Sequence, residues 1–213
     1  MSGSLTLAGD LLLIMLDDAT GRLRVRPRVA GYGLAGALLI ELWWAGLVAV
    51  DARRIRVLNR RPPDDPLLRR LLGSMMTEPE RTGIGGWVEY LATGAVEDVA
   101  GRLVETGWIR VEQRLGLSGR HPVFVPVDRS AVFWRAGRLA GQAGRVPTWV
   151  DLALYGLLDA VGVASQTVGC LAASGAGHRL AAGPGRLPAQ PPPVVAVCGQ
   201  VQALVARAAI SLR

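Results

Sequence analysis

Val29-Ala-Gly-Tyr-Gly-Leu-Ala-Gly-Ala-Leu-Leu-Ile-Glu-Leu-Trp-Trp-Ala-Gly-Leu-Val-Ala-Val50 is a run of 22 residues with a single charge, Glu41. Its length and hydropathy suit a bilayer-spanning helix. Its details do not. Glu41 lies near the middle, where a carboxylate costs roughly 2.5–3.5 kcal/mol on insertion scales. Gly31, Gly33 and Gly36 crowd the first turns, and Gly46 followed by Leu47-Val-Ala-Val50 reads as a helix end and then a strand. The run is therefore read as a buried helix of a soluble fold, Leu34 to Ala45, entering a short hairpin.

The surrounding chain fits that reading. It has 213 residues, 50% hydrophobic and 19% charged, which excludes a disordered chain and supplies a core without disulfide or metal staples. The two cysteines, Cys170 and Cys198, form no framework, as expected in a reducing compartment. Met1 to Leu16 has no basic start and is interrupted by Asp10, so no signal peptide is expected. All 24 basic residues are arginine and the net charge is +7, which points to an anionic partner, lipid headgroup or nucleic acid.

Working outward, Leu7, Leu11, Ile14 and Met15 recur at helical spacing and Asp17 to Gly21 has turn chemistry. Arg22-Leu-Arg-Val-Arg-Pro-Arg-Val29 alternates; as a strand it would place four arginines on one face, with Pro27 confining it to an edge or an extended arm. After the first hairpin, Leu47 to Val50 with Ile55 to Leu58, a helix carries Leu67, Leu68, Leu71, Leu72 and Met75 on one face. A helix with Val96, Val99 and Leu103 then ends at Gly107. A second hairpin, Trp108 to Val111 with Val123 to Val127, follows through a loop containing Gly116 and Gly119. Helix, glycine, hairpin thus occurs twice, a weak internal repeat with a winged-helix grammar. Ala131 to Gly144 and Thr148 to Ser165 read as helices, Ala172 to Pro193 as a Gly/Ala/Pro loop, and Val197, Val201, Leu204 and Ala208 as a closing amphipathic helix. The expectation is a mostly α fold, one compact helical domain over residues 1–213 with one or two small β-hairpins and a flexible loop at about 172–193.

Signals for catalysis are thin. Gly31-Tyr-Gly-Leu-Ala-Gly36, with Asp51 downstream, satisfies the dinucleotide fingerprint. The preceding segment, however, alternates charge and contains proline, unlike a buried parallel strand; the glycines are read instead as letting a helix pack closely. His121 and His178 lack metal-ligand spacing, and Cys170, near His178 in sequence, reads as a buried structural cysteine. Asp17-Asp18 and Asp64-Asp65 sit in turns. Neither enzyme activity nor a cofactor or metal is expected. The arginines are the remaining feature: Arg22, Arg24, Arg26 and Arg28, and a nearby cluster of Arg53, Arg54, Arg56, Arg60 and Arg61. Like charges on one face repel, which favours an anionic ligand.

Leu5-Thr-Leu-Ala-Gly-Asp-Leu-Leu-Leu13, Gly33-Leu-Ala-Gly-Ala-Leu-Leu-Ile-Glu-Leu42 followed by Gly46-Leu47, and Arg102-Leu-Val-Glu-Thr-Gly-Trp-Ile109 resemble, in order and spacing, blocks of the Golgi phosphoprotein 3 family and its bacterial relatives. Asp151 to Leu158 is similar to a further block more loosely. The resemblance implies a helical fold with hairpins, no catalysis, and peripheral membrane binding through phosphatidylinositol 4-phosphate, with adaptor contacts to proteins in eukaryotic members. It also implies a headgroup pocket of one tryptophan and three arginines. Those four positions fall here on Arg26, Ala35, Thr93 and Val96, so no ligand residue carries over. The family's long hairpin is implicated in self-association and membrane contact; its counterpart carries Leu115 and Leu117 near its tip.

The sequence therefore predicts a cytoplasmic, peripheral membrane protein that holds anionic lipid, phosphatidylinositol 4-phosphate among the options, through Arg22, Arg24, Arg26 and Arg28. Leu115 and Leu117 are expected to meet the membrane or a second copy through the 108–127 hairpin. Two alternatives stand beside it: a nucleic-acid binder built on winged-helix-like units, and a protein-interaction scaffold without lipid binding. Against the former, Leu34 to Ala45 offers no base-reading side chains.

Overall fold

The computed structural model describes residues 6–17, 20–116, 119–128, 148–164 and 190–210. Among them the chain runs α1 (Leu7–Met15), α2 (Pro27–Trp44), β1 (Val48–Val50), β2 (Ile55–Val57), α3 (Pro66–Thr77), α4 (Ile84–Ala92), α5 (Ala95–Glu105), β3 (Ile109–Gly116), β4 (Gly119–Pro126), α6 (Trp149–Ala160) and α7 (Pro192–Ile210). The two antiparallel hairpins, β1–β2 and β3–β4, are separate sheets. The fold is mostly α, as the sequence predicts.

The apolar run at Val29 to Val50 is the hub. α2 packs against α1, α3, α4, α5, α6, α7 and β1, and Leu34, Leu38, Leu39 and Leu42 are fully enclosed. Side chains of this size each contribute about 1.5–3 kcal/mol when buried. The helix starts at Pro27, seven residues before the predicted Leu34, because the glycines do not interrupt it; they are where its neighbours come closest. A Cβ on Gly31 would strike the Ala92 carbonyl of α4, and one on Gly33 would lie 2.7 Å from Val161 Cγ1. One on Gly36 would lie 2.7 Å from Val201 Cγ2 of α7 and 3.1 Å from Leu157 Cδ2 of α6. The dinucleotide-like spacing is thus a packing device, as read from the sequence. The chain leaves α2 through Gly46, whose φ of +68° suits glycine.

Glu41, the lone charge of the run, is neutralised inside the fold. Its Oε2 accepts from Arg102 Nη1 at 2.8 Å, and its Oε1 accepts from Arg102 Nη2 at 3.2 Å and from the Ala8 backbone N–H at 2.7 Å. Arg102 of α5 also donates to Thr6 Oγ1 at 2.6 Å and Asp65 Oδ2 at 3.3 Å. Thr6 and Asp65 are the N-caps of α1 and α3. One guanidinium therefore ties two helix starts to the middle of α2. Burial works against the charged form of Arg102, but attraction and hydrogen bonding from Glu41, then from Asp65, more than offset it, and its pKa rises above the ordinary arginine value.

The closing helix presents Val194, Val197, Val201 and Leu204 to the core at helical spacing. It begins at Pro192, so the predicted loop ends before Pro193; proline suits the first helical turn. Its outward face is also poor in charge, with Val195 and Ile210 exposed. Of the described helices it is the one long and apolar enough to cross a membrane, with mean hydropathy 1.5. α6 starts on a capping box in which Thr148 N–H donates to Asp151 Oδ2 at 2.8 Å and Asp151 N–H donates to Thr148 Oγ1 at 3.3 Å. The predicted helix Ala131 to Gly144 and most of the 172–193 loop, His178 and Cys170 lie outside the described residues.

Candidate functional site

The segment Arg22 to Val29 is not the predicted strand with four arginines on one face. After α1 the chain turns at Gly21 (φ +66°) and makes only an isolated bridge, Leu23 to Leu16. The Arg24 N–H donates to the Met15 carbonyl at 2.8 Å and the Asp17 N–H to the Arg22 carbonyl at 2.8 Å. α2 then starts at Pro27 with Arg26 as its N-cap. Proline explains the correction: it forces the preceding residue into extended backbone and fits the first helical position, where a missing N–H costs nothing.

The alternation survives up to that point. Leu23 and Val25 pack on the core while Arg22, Arg24 and Arg26 are exposed, and Arg28 is exposed on the first turn of α2. Their environments differ. Arg24 Nε donates to the Leu16 carbonyl at 3.1 Å, and its guanidinium lies 3.4 Å from Asp17. Arg28 Nε donates to Tyr32 Oη at 2.8 Å, with the guanidinium over the ring. Arg22 and Arg26 have no side-chain partner among the described residues. Arg26 makes no side-chain cap, so among the first-turn amides those of Arg28 and Val29 have no cap acceptor, and the positive end of the helix dipole lies beside these arginines.

The second hairpin joins this edge. The Phe124 N–H donates to the Gly21 carbonyl at 3.1 Å, and a Cβ on Gly21 would come within 2.6 Å of Val123 Cγ1 and 2.7 Å of Phe124 O. The arginine segment and the base of β4 are therefore in backbone contact, which the sequence did not indicate. The strands exceed the predicted Trp108–Val111 and Val123–Val127 and pair out to Gly116 with Gly119. Leu115 is opposite Arg120 in that ladder; Leu117 lies outside the described residues.

The four positions that the family resemblance assigns to a headgroup pocket do not make one here. Arg26 is exposed, and Thr93 is exposed at the end of α4, where its hydroxyl donates to the Tyr90 carbonyl at 2.9 Å. Ala35 and Val96 are buried in the core. Three positions that would need a cation carry none.

Other polar and reactive side chains have local structural roles. Asp51 accepts from the Arg54 N–H at 2.9 Å and the Arg53 N–H at 3.2 Å, closing the β1–β2 turn. Those backbone bonds lower its pKa. Burial, followed by the negative charge of Asp159, pushes the Cys198 thiol up to about 12, which disfavours the thiolate. Among the described residues no group of three His, Cys, Asp or Glu side chains is placed to hold a metal. α2, the helix a winged-helix reading would send into a DNA groove, is a core helix buried continuously from Ala30 to Ile40.

Three features escaped the sequence reading. α4 was not predicted. The Arg102–Glu41 pair joins residues 61 apart, and only the oddity of a charge in an apolar helix hinted at it. A cleft of about 180 Å³ between β2, the end of α3 and the start of α4, with Arg56, Arg60 and Arg81 in its wall, is assembled from distant segments.

The fold and this edge define a helical protein with two hairpins and an exposed arginine segment docked on one of them. The chain belongs to the Golgi phosphoprotein 3 family: the family model described as Golgi phosphoprotein 3 (GPP34) matches residues 7–195. That family is not known as an enzymatic one. No curated protein sequence matches the chain.

Proposed function

We propose that this chain is a non-enzymatic, cytoplasmic peripheral membrane protein that holds anionic lipid headgroups at the Arg22 to Arg28 edge and serves as an adaptor. The observation that carries the reading is the backbone junction of Gly21 with Phe124, which joins the segment bearing Arg22 and Arg26, without side-chain partners among the described residues, to the base of the β3–β4 hairpin. Arginines near an anionic bilayer contribute about 1 kcal/mol each, and the uncapped start of α2 adds hydrogen-bond donors for phosphate. With Ala35, Thr93 and Val96 at the family's other headgroup positions, recognition rests on charge more than on the phosphoinositide pattern. The hairpin tip around Leu115 and Leu117 is the second contact, with membrane or with another copy.

Flotation with neutral, phosphatidylserine, phosphatidylinositol and phosphatidylinositol 4-phosphate vesicles tests this at low and physiological salt. Retention on all anionic vesicles that weakens with salt is expected. Equal retention on neutral vesicles, or none at low salt, overturns it.

A further inference from the structure

In the β1–β2 hairpin the hydrogen-bonded pairs are those in phase with Asp51 and Arg54, whose backbones bond at 3.0 Å, and with Leu47 and Leu58, bonded at 2.9 Å. Ile55 and Val57 are the intervening non-bonded pairs, so their N–H and C=O groups face away from β1. The outer edge of β2 is half occupied. The Ile55 N–H donates to the Thr82 carbonyl at 2.7 Å, and the Ile84 N–H donates to the Arg53 carbonyl at 3.0 Å, which makes Thr82 to Ile84 a short third lane beside the start of β2. The turn closed by Arg81 N–H to Glu78 O then carries the chain off the sheet. Beside Val57 that lane is open, and its backbone N–H and C=O have no partner among the described residues.

The cleft of about 180 Å³ lies along this open edge, lined among others by Val57, Met75 and Trp87 with Arg56, Arg60 and Arg81. Arg81 is already committed: it bonds Glu78 Oε2 at 2.9 Å and stacks on Tyr90 and Trp87, and the Trp87 indole N–H donates to its carbonyl. Glu78, the carboxylate of the cleft wall, is thereby neutralised. Arg56 and Arg60 are exposed and form no side-chain hydrogen bond or close ion pair among the described residues, although the exposed Asp51 carboxylate feels the charge of Arg56. An open strand edge over an apolar floor, flanked by two exposed arginines without a close ion pair among the described residues, fits one kind of ligand.

We propose that this edge receives an extended, acidic peptide segment of a partner protein, which adds as a strand beside Val57 and sets carboxylates against Arg56 and Arg60. Main-chain bonds to an exposed edge give affinity, and side-chain pockets at alternate positions give specificity. The site is carried by β2, α3 and α4 rather than by the arginine segment before α2, so it stands independently of the lipid reading.

The test is fluorescence anisotropy at low salt with a labelled peptide alternating glutamate and valine, against a twin N-methylated at every backbone amide. Saturable binding of the parent peptide is expected, weakened at least about tenfold (~1.4 kcal/mol) in the twin and in the Arg56→Glu/Arg60→Glu protein. Val57→Pro deletes the outward N–H without touching the β1 ladder, a place where edge strands tolerate proline. It should weaken peptide binding similarly while leaving retention on anionic vesicles unchanged. No binding of the parent peptide overturns the proposal. So does equal binding of the N-methylated twin, which would reduce the interaction to charge alone and reads out even if Val57→Pro fails to fold.

Discussion

Arg102 and the pair Arg22 and Arg26 are the same side chain put to opposite uses. Arg102 is enclosed, its side chain 9% exposed, and it meets Glu41, Asp65 and Thr6. Arg22 and Arg26 are exposed and meet nothing among the described residues. A charge taken out of water must be matched inside the fold, whereas a charge left in water is free to be matched by a ligand. The contrast teaches where stability ends and binding begins: Arg102 holds the architecture and the surface arginines are available to a partner.

The largest expected effect tests the buried side. Arg102→Ala strands Glu41 in the core and should destabilise the protein by about 3–5 kcal/mol in chemical denaturation; a loss below 1 kcal/mol would mean water replaces the guanidinium. Next come the close approaches. Gly36→Ala forces α2 away from Val201 and Leu157 and should cost about 1–3 kcal/mol by the same assay. Gly21→Ala adds left-handed backbone strain to a clash with the Phe124 carbonyl. It should cost a similar ~1–3 kcal/mol and release the base of β4, read as faster amide exchange at Phe124. A smaller effect belongs to Asp51, whose pKa is lowered by the Arg53 and Arg54 amides. A depressed folded-state pKa means its contribution is present above the ordinary carboxylate value and is lost as pH falls through the folded one. Asp51→Asn should therefore narrow its stability gap to wild type on acidification, a trend that pH-resolved denaturation can follow.

Much of this was legible in the sequence for identifiable reasons. The apolar run with Gly46 behind it announced α2 and β1, since a positive-φ glycine after an apolar helix is a strong stop. Leu23 and Val25 alternating with arginines announced which side chains stay in water. Pro27 was legible in effect but not in kind, because the same residue ends an edge strand or starts a helix and only the packing of Gly31 and Gly33 decides. α4 was hidden: Gly85 and Gly86 sit in its first turn, and its helicity comes from burying Trp87, Val88 and Leu91 rather than from local propensity. The Gly21–Phe124 junction and the cleft beside Val57 join segments far apart in sequence, for which no local pattern exists.

In the proposed lipid site the surface arginines act through their place, not merely their sum. The direct measurement is vesicle flotation of Arg22→Glu/Arg26→Glu against Arg53→Glu/Arg54→Glu, which changes net charge equally at the β1–β2 turn, outside the Arg22 to Arg28 segment. Both proteins should keep wild-type stability within about 0.5 kcal/mol, as surface substitutions do. The first should lose affinity for phosphatidylserine vesicles by roughly 30-fold or more, about 2 kcal/mol for two arginines, while the second stays near wild type. Equal losses in both would contradict a localised site and leave only a basic surface.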